Sequence, residues 1–164
     1  MFRVIVYCLF TAFWVNISQV SANTSGLSPT AKPMRLWYNE AATNNDKGWI
    51  AQSIPMGNGY MGINVFGGLQ TERIQITENS LYDEVAGKGL RRTGLNNFAE
   101  VYIDFNHSEA TQYERGLDLN DGVSYVKYKH AEVTYSREYF TSYPDKVMVV
   151  RLSASKTGAL SFTL

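Results

Sequence analysis

The chain has 164 residues, of which 15 are basic and 15 acidic, so its formal net charge at pH 7 is zero. This balance gives no reason to expect binding to nucleic acid or to an anionic membrane surface. Hydrophobic residues make up 45% and charged residues 18% of the chain, which is enough apolar material for a core and argues against intrinsic disorder. The composition therefore predicts a globular protein.

Residues 1–22 have the layout of a signal peptide. Arg3 supplies a positive charge, and the stretch 4–15 is almost wholly apolar but short for a bilayer span. Residues 20–22, Val-Ser-Ala, match the small-residue pattern that signal peptidase accepts, so cleavage is expected after Ala22. An uncleaved anchor helix is the alternative. The sequence thus predicts a secreted or periplasmic protein with no membrane attachment after cleavage.

The single cysteine, Cys8, lies in this leader and would be removed with it. The mature chain is then expected to have no disulfide and no thiol nucleophile. His107 and His130 have no neighbouring residue at a metal-binding spacing, which favours structural or surface roles for both. The sequence therefore predicts neither a metal site nor a cofactor.

After a flexible lead-in over residues 23–33, rich in Ser, Thr, Gly and Pro, residues 34–164 have the pattern of an all-β domain. Short runs alternate apolar and polar residues and are separated by turn residues at intervals of about 8 to 12 residues. Strands are predicted at 35–38, 60–66, 72–78, 101–105, 113–119, 123–129, 133–141 and 146–152, with surface loops at 39–48 and 86–97. No segment has a convincing amphipathic helix pattern. The expected fold is an antiparallel two-sheet sandwich.

A further strand pattern, 159–164, ends at Leu164 with no turn, cap or polar tail after it. The sequence is therefore expected to be a fragment or a truncated gene product. The sandwich that it encodes would be incomplete at its C-terminal end.

Acidic residues were the first candidates for chemistry, because many hydrolytic reactions need one carboxyl group as acid and another as base or nucleophile. Most of them alternate with apolar residues along strands, as Glu72, Asp104, Glu132 and Glu138 do, and such residues are expected on solvated sheet faces. No pair is distinguished by its spacing. The sequence therefore assigns no catalytic residue.

A glycine pattern, G-x-G-x-x-G, occurs at residues 57–62 and resembles a dinucleotide-binding fingerprint. That fingerprint must follow a strand and open a helix, whereas this one opens the strand at 60–66. The glycines are therefore predicted to permit a tight turn.

Several segments, taken in order, resemble the N-terminal domain of glycoside hydrolase family 95. In the first half they are LWY at 36–38, IPMGNGYMG at 54–62, VFGG at 65–68 and ERIQITENSL at 72–81. In the second half they are VYIDF at 101–105, YERGLDL at 113–119, VTYSRE at 133–138 and SYPD at 142–145. The resemblance extends over residues 34–164.

This resemblance implies an exported α-L-fucosidase-like enzyme that inverts configuration and acts on fucosylated glycans or related sugars. It also implies that the β-sandwich packs on a helical (α/α)6 barrel, which carries the acid and the base and would lie outside this chain. This chain alone is then expected to be inactive. The alternatives are a stand-alone carbohydrate-binding module, in which Trp37, Trp49 or tyrosines stack on sugars, and a non-functional gene fragment.

One segment is a candidate for contact with substrate in the complete enzyme. Glu78, Asn79, Tyr82 and Asp83 follow a well-patterned strand, and polar and aromatic groups concentrate where the alternation ends. We expect this segment to be a loop that reaches towards the active site. The structural alternative is a strand-terminating turn in which Asn79 and Ser80 bond the local backbone.

Overall fold

The computed structural model describes residues 4–8, 34–84 and 93–164, with side chains over 34–81 and 97–164. In these residues the secondary structure is β1 Val4–Cys8, β2 Arg35–Tyr38, α1 Asp46–Ala51, β3 Ile54–Gly57, β4 Met61–Val65, β5 Thr71–Glu84, β6 Thr93–Asp104, β7 Thr111–Asp118, β8 Val123–His130, β9 Val133–Ser142 and β10 Val147–Ala154. Strands therefore make up almost all of the regular structure described.

The strands form two sheets, which confirms the predicted all-β sandwich. Sheet A has the order β1-β10-β9-β8-β7-β2, and sheet B has the order β3-β4-β5-β6. Every neighbouring pair is antiparallel except β1, which runs parallel to β10. Alternate residues of both sheets point inward and form one hydrophobic core. Its buried members include Ile63, Val65, Ile74 and Ile103 from sheet B and Val126, Tyr139, Met148, Val150 and Leu152 from sheet A.

The loop predicted at 39–48 is partly wrong, because α1 begins within it. The Asn45 side chain accepts a hydrogen bond from Gly48 N–H at 2.8 Å and so caps the first turn of this helix. Six residues are too few to produce a recognisable amphipathic pattern. The N-cap residue Asn45 is therefore the feature of the sequence that could have indicated this helix.

Two predictions about strand ends also need correction. The loop predicted at 86–97 overlaps β6, which begins at Thr93, while residues 85–92 lie outside the described residues. The strand pattern at 159–164 forms only an isolated antiparallel bridge between Thr163 and Asp104. The glycine pattern at 57–62 does form the predicted turn, which joins β3 to β4 as a hairpin.

The predicted cleavage site after Ala22 and the lead-in at 23–33 both lie outside the described residues. The leader contributes β1, which pairs through its backbone with β10. Nothing in this arrangement tests cleavage, so the signal peptide stays a prediction. Within the described part of the chain, the structure contains no helix with the length and apolar character to cross a membrane.

A buried ion pair joins the two sheets within the core. Arg137 Nη1 on β9 donates a hydrogen bond to Glu72 Oε2 on β5 at 2.9 Å, and the two side chains are 2% and 0% exposed. Tyr139 donates its phenolic proton to the same Glu72 oxygen at 2.7 Å. Burial raises the pKa of Tyr139 well above its ordinary value, so the phenol keeps the proton that it donates. At Oε2, the negative charge of Glu72 is therefore stabilised by two groups that both come from β9 in the opposite sheet.

The connection between β4 and β5 satisfies the rest of this network. Gly67 N–H donates to Glu72 Oε1 at 2.7 Å, and Arg137 Nη2 donates to Gly68 O at 2.8 Å. Gly67 has a φ of 78°, and a Cβ at this position would lie 2.5 Å from the Tyr113 hydroxyl oxygen. Glycine is therefore required here both by the backbone conformation and by the close approach of Tyr113.

The expectation that Glu72 lies on a solvated face is wrong. Glu72 is two residues before the buried Ile74 on β5, so the alternation of the strand points both side chains into the core. The expectation is right for Glu132, whose side chain is 90% exposed, and Glu138 and Asp104 are partly exposed. The expectation therefore holds for three of the four acidic residues, whereas the phase of Glu72 with Ile74 decides the fourth.

We expect Arg137→Met to lower the free energy of unfolding by about 3 to 5 kcal/mol, because it leaves the Glu72 carboxylate buried without its cation. The measurement is urea denaturation at pH 7. The exposed pair between Arg151 and Glu138 provides the control, and Arg151→Met should cost less than about 1 kcal/mol. Equal losses in the two variants would contradict a special role for the buried pair.

Candidate functional site

The segment singled out from the sequence lies at an irregularity in β5. Thr77 pairs with Asn97 on β6, but the next paired residue of β5 is Tyr82, opposite Leu95. Four residues of β5, 78–81, therefore occupy the space opposite one residue of β6, and they form a bulge. Bulges of this kind direct side chains out of the regular alternation, which makes this segment a candidate functional site.

Glu78 lies at the start of the bulge and is 1% exposed. The Ser80 hydroxyl donates a hydrogen bond to Glu78 Oε2, and Tyr60 also hydrogen-bonds to this carboxylate. The hydrogen bonds from Ser80 and from Tyr60, together with the nearby charge of Lys146, lower the pKa of Glu78. Lys146 also lies over the Tyr60 ring, with its Nζ 4.8 Å from the ring centroid. The cluster holds a carboxylate that stays ionised.

The other predicted residues of this segment are not in a loop at the end of a strand, so that expectation is wrong. Asn79 donates its backbone N–H to Tyr60 O at 3.0 Å and its side chain is exposed. Tyr82 and Asp83 belong to β5, which continues to Glu84, and the structure does not describe their side chains. The alternation of apolar and polar residues stops where the bulge begins, and the strand continues beyond it. The role of these residues in substrate contact stays a prediction.

Three carboxyl groups of the described residues have pKa values shifted away from what a general acid needs. A general acid in glycoside hydrolysis has a raised pKa, so that it carries a proton at neutral pH. Among the described side chains, the carboxyl pKa values that are shifted are lowered instead. They belong to Glu78, Glu100 and Glu132, and the largest cause in each case is a side-chain hydrogen bond, from Ser80, Arg73 and Lys129 respectively. These carboxylates are fixed in their ionised form.

An open groove of about 780 Å³ lies at the end of sheet A that carries the β8–β9 turn. Its lining includes Glu109, Glu132, Lys129 and His130. Lys129 Nζ lies 2.8 Å from Glu132 Oε2, and the Glu132 side chain is 90% exposed. A solvated carboxylate already paired with lysine is suited to neither general acid nor nucleophilic chemistry.

The two histidines, which the sequence did not place together, are stacked beside this groove. Their ring centroids are 4.5 Å apart, and His107 Nδ1 lies 2.8 Å from the Tyr128 hydroxyl. His130 Nδ1 lies 2.7 Å from Glu109 O and donates to that carbonyl. Among the described residues no group of three or more His, Cys, Asp or Glu is placed to hold a metal ion. The histidines thus have packing partners rather than a ligand set.

The His107 environment predicts a pH dependence of stability. Burial lowers the pKa of His107, with further contributions from His130 and Arg137, so the unfolded chain takes up this proton at a higher pH than the folded one. The stability contribution is therefore present above the unfolded pKa of about 6.5 and is lost as the pH falls through it towards the folded pKa.

We expect the chain to unfold at lower urea concentration at pH 5.5 than at pH 7.5. His107→Phe, which keeps a ring in the stack, should reduce this difference. Chemical denaturation of both proteins at the two pH values provides the measurement. An equal pH difference in the variant would show that His107 is not the responsible group.

These observations define the molecule as a β-sandwich domain with a bulged strand at one sheet and open outer faces. The family model described as the glycosyl hydrolase family 65 N-terminal domain matches residues 36–88 and 82–164. Alpha-L-fucosidase 2 of Arabidopsis thaliana is 30% identical over 169 residues, which cover 80% of this chain and 20% of that protein. The chain belongs to this family of glycoside hydrolase N-terminal domains and is of the type found in family 95.

The chain spans about a fifth of the length of the relative that it matches. The resemblance stated from the sequence is confirmed by both comparisons. The matched region begins at Leu36 in β2 and includes all of sheet B and the strands of sheet A other than β1.

Proposed function

We propose that the chain is the N-terminal accessory domain of an exported α-L-fucosidase-like glycoside hydrolase. The observation that carries this proposal is the match of the family model to nearly all of the sandwich, together with the fucosidase relative. The leader pattern at residues 1–22 supports export to the periplasm or the extracellular space. The substrates of the complete enzyme would be glycans with terminal α-L-fucosyl or related residues.

In this proposal the chemistry belongs to a helical (α/α)6 barrel outside these 164 residues, on which the sandwich packs. The lowered carboxyl pKa values support this division, because hydrolysis of a glycosidic bond needs one carboxyl group that holds a proton. The buried Glu72 supports it further, since its two oxygens are already bonded to Arg137, Tyr139 and the backbone of Gly67. This carboxylate is committed to holding the sheets together.

We predict that the purified chain does not release the chromophore from an aryl α-L-fucoside above the rate of a protein-free control. The physical reason is that the described domain holds no acid and base facing each other across a sugar pocket. A fucosidase relative assayed in parallel shows that the substrate is competent. Turnover that a single carboxyl substitution in this chain abolishes would contradict the proposal.

A second prediction concerns the β5 bulge in a complete homologue. If the bulge contacts substrate, the equivalents of Asn79→Ala and Tyr82→Ala raise KM or lower kcat for fucosides. Both variants should retain stability within about 1 kcal/mol, because Asn79 is exposed and Tyr82 lies beyond the irregularity.

The matched control for these variants is Asp121→Ala, since Asp121 is exposed in the β7–β8 turn. This variant should leave the kinetics and the stability unchanged. Normal kinetics in both bulge variants, or kinetic losses that follow a large loss of stability, would assign the bulge a structural role only.

A stand-alone carbohydrate-binding module is the second candidate, and the exposed indole of Trp37 favours it. A non-functional gene fragment is the third. Reading the genomic sequence that follows the Leu164 codon separates the three: barrel-encoding sequence in frame supports the accessory domain, and the same sequence out of frame supports a broken gene. Unrelated sequence after a stop codon supports the binding module.

A further inference from the structure

The outer face of sheet A carries a row of five residues in register across five strands. Trp37 on β2 pairs with Gly116 on β7, which pairs with Tyr125 on β8. Tyr125 pairs with Glu138 on β9, which pairs with Arg151 on β10. Since directly paired residues point to the same side of a sheet, the four side chains of this row share one face. This row is the feature from which the inference starts.

Trp37 is the most conspicuous member of the row because its side chain is 53% exposed on an edge strand. An indole removed from water contributes substantially to binding, so an exposed one provides a large apolar surface for a ligand. Its Nε1 lies 3.5 Å from Glu114 Oε2, which is long for a hydrogen bond. The indole thus has a polar neighbour at its N–H, and about half of the residue remains exposed.

Gly116 lies between the two aromatic residues of the row. A Cβ at this position would lie 2.7 Å from the Tyr125 hydroxyl oxygen, 2.8 Å from Tyr125 Cζ and 2.4 Å from Leu36 O. The Tyr125 ring therefore extends across the backbone of β7 towards β2, where Trp37 is located. Because Gly116 has no side chain that would interrupt it, the surface beside the Trp37 indole is flat and aromatic.

The charged residues of this face occur as opposed pairs. Glu138 forms an ion pair with Arg151. In the strand register, Glu114 is opposite Lys127 and Arg35 is opposite Asp118. The face therefore has no net charge among these residues, which disfavours a polyanion or a polycation as its ligand. Its carboxylates and guanidinium remain capable of hydrogen bonds with hydroxyl groups.

The outer face of sheet B differs in this respect. There Arg73 donates to Glu100 at 2.5 Å and to Asn44 at 2.8 Å, and Tyr102 also donates to Glu100. These polar groups bind one another and offer fewer free positions to a ligand. The combination of an open indole, a flat neighbouring ring and balanced charges occurs on sheet A.

We propose that this face of sheet A binds a neutral glycan, one pyranose ring of which stacks on Trp37 beside Tyr125 while Glu114 accepts hydrogen bonds from its hydroxyl groups. The apolar face of a pyranose ring matches an aromatic platform, and its hydroxyl edge matches charged side chains at the rim. This activity goes beyond the proposed accessory role, because it needs no catalytic barrel. It would hold a glycan on the surface of the enzyme at a site separate from hydrolysis.

The test is an NMR titration of the purified, isotope-labelled chain with two neutral probes, methyl α-L-fucopyranoside and cellohexaose. A sulfated heparin hexasaccharide serves as the charged comparison. We expect the Trp37 indole N–H resonance to shift on addition of at least one neutral probe, with a Kd of about 0.1 to 10 mM.

Trp37→Ala should weaken this binding by about tenfold or more. The matched control is Trp49→Ala, which removes an indole of 43% exposure on α1, next to β3 of the other sheet, and should leave the Kd within about twofold. Circular dichroism melting of both variants verifies that each is folded at the titration temperature.

Three outcomes would overturn the proposal. They are no binding of either neutral probe up to about 20 mM, equal affinity losses in the two tryptophan variants, and tighter binding of the sulfated probe than of both neutral ones. If Trp37→Ala is not folded, Tyr125→Ala replaces it, because this variant removes the neighbouring ring without altering the edge strand. Unchanged affinity in that variant would also overturn the proposal.

Discussion

The structure depends on the ion pair between Glu72 and Arg137, which is buried between the two sheets. A carboxylate and a guanidinium are costly to remove from water, and they are tolerated here because both carboxylate oxygens and both Nη atoms have hydrogen-bond partners, although the buried Nε of Arg137 has none. Those partners come from β5, from β9 and from the connection that contains Gly67. The position of sheet B on sheet A is therefore specified by directed bonds as well as by apolar packing.

The filled interior of the sandwich restricts binding and contact sites to its surface. Both inner faces are occupied by the core and by the buried network, so ligands and partner domains meet the outer faces, the strand edges and the β5 bulge. The acidic residues divide in the same way. Glu72 links the two sheets, and Glu78 stabilises the bulge through Ser80 and Tyr60. Glu138 lies at the surface in an ion pair. A sandwich of this kind is suited to presenting surfaces rather than to enclosing a reaction.

The sequence predicted β7, β8 and β9 to within about two residues, because their alternation and the Asn120 to Gly122 turn are local signals. It also contained the signal for the buried charges. Glu72 is in phase with Ile74, and Arg137 is in phase with Tyr139, so counting along each strand identifies both as inward-facing. The expectation that Glu72 lies on a solvated face overlooked this phase.

Other features could not be predicted in this way. Of the first five residues of β6, all but Leu95 are polar or glycine, and they form a strand by pairing with the far end of β5. The bulge exists only in relation to that partner strand. For this reason the candidate segment was expected to be a loop, whereas the structure shows that it is a bulge within β5.

The separation of Glu72 and Arg137 in the chain, 65 residues, has a consequence for synthesis. The ribosome delivers β5 long before β9, so the emerging hairpin of sheet B carries a carboxylate whose cation has not yet been made. Burial of its inner face is unfavourable until Arg137 arrives. The strands of sheet B are thus kept hydrated and open during elongation, and collapse of the two sheets is delayed until both can form together.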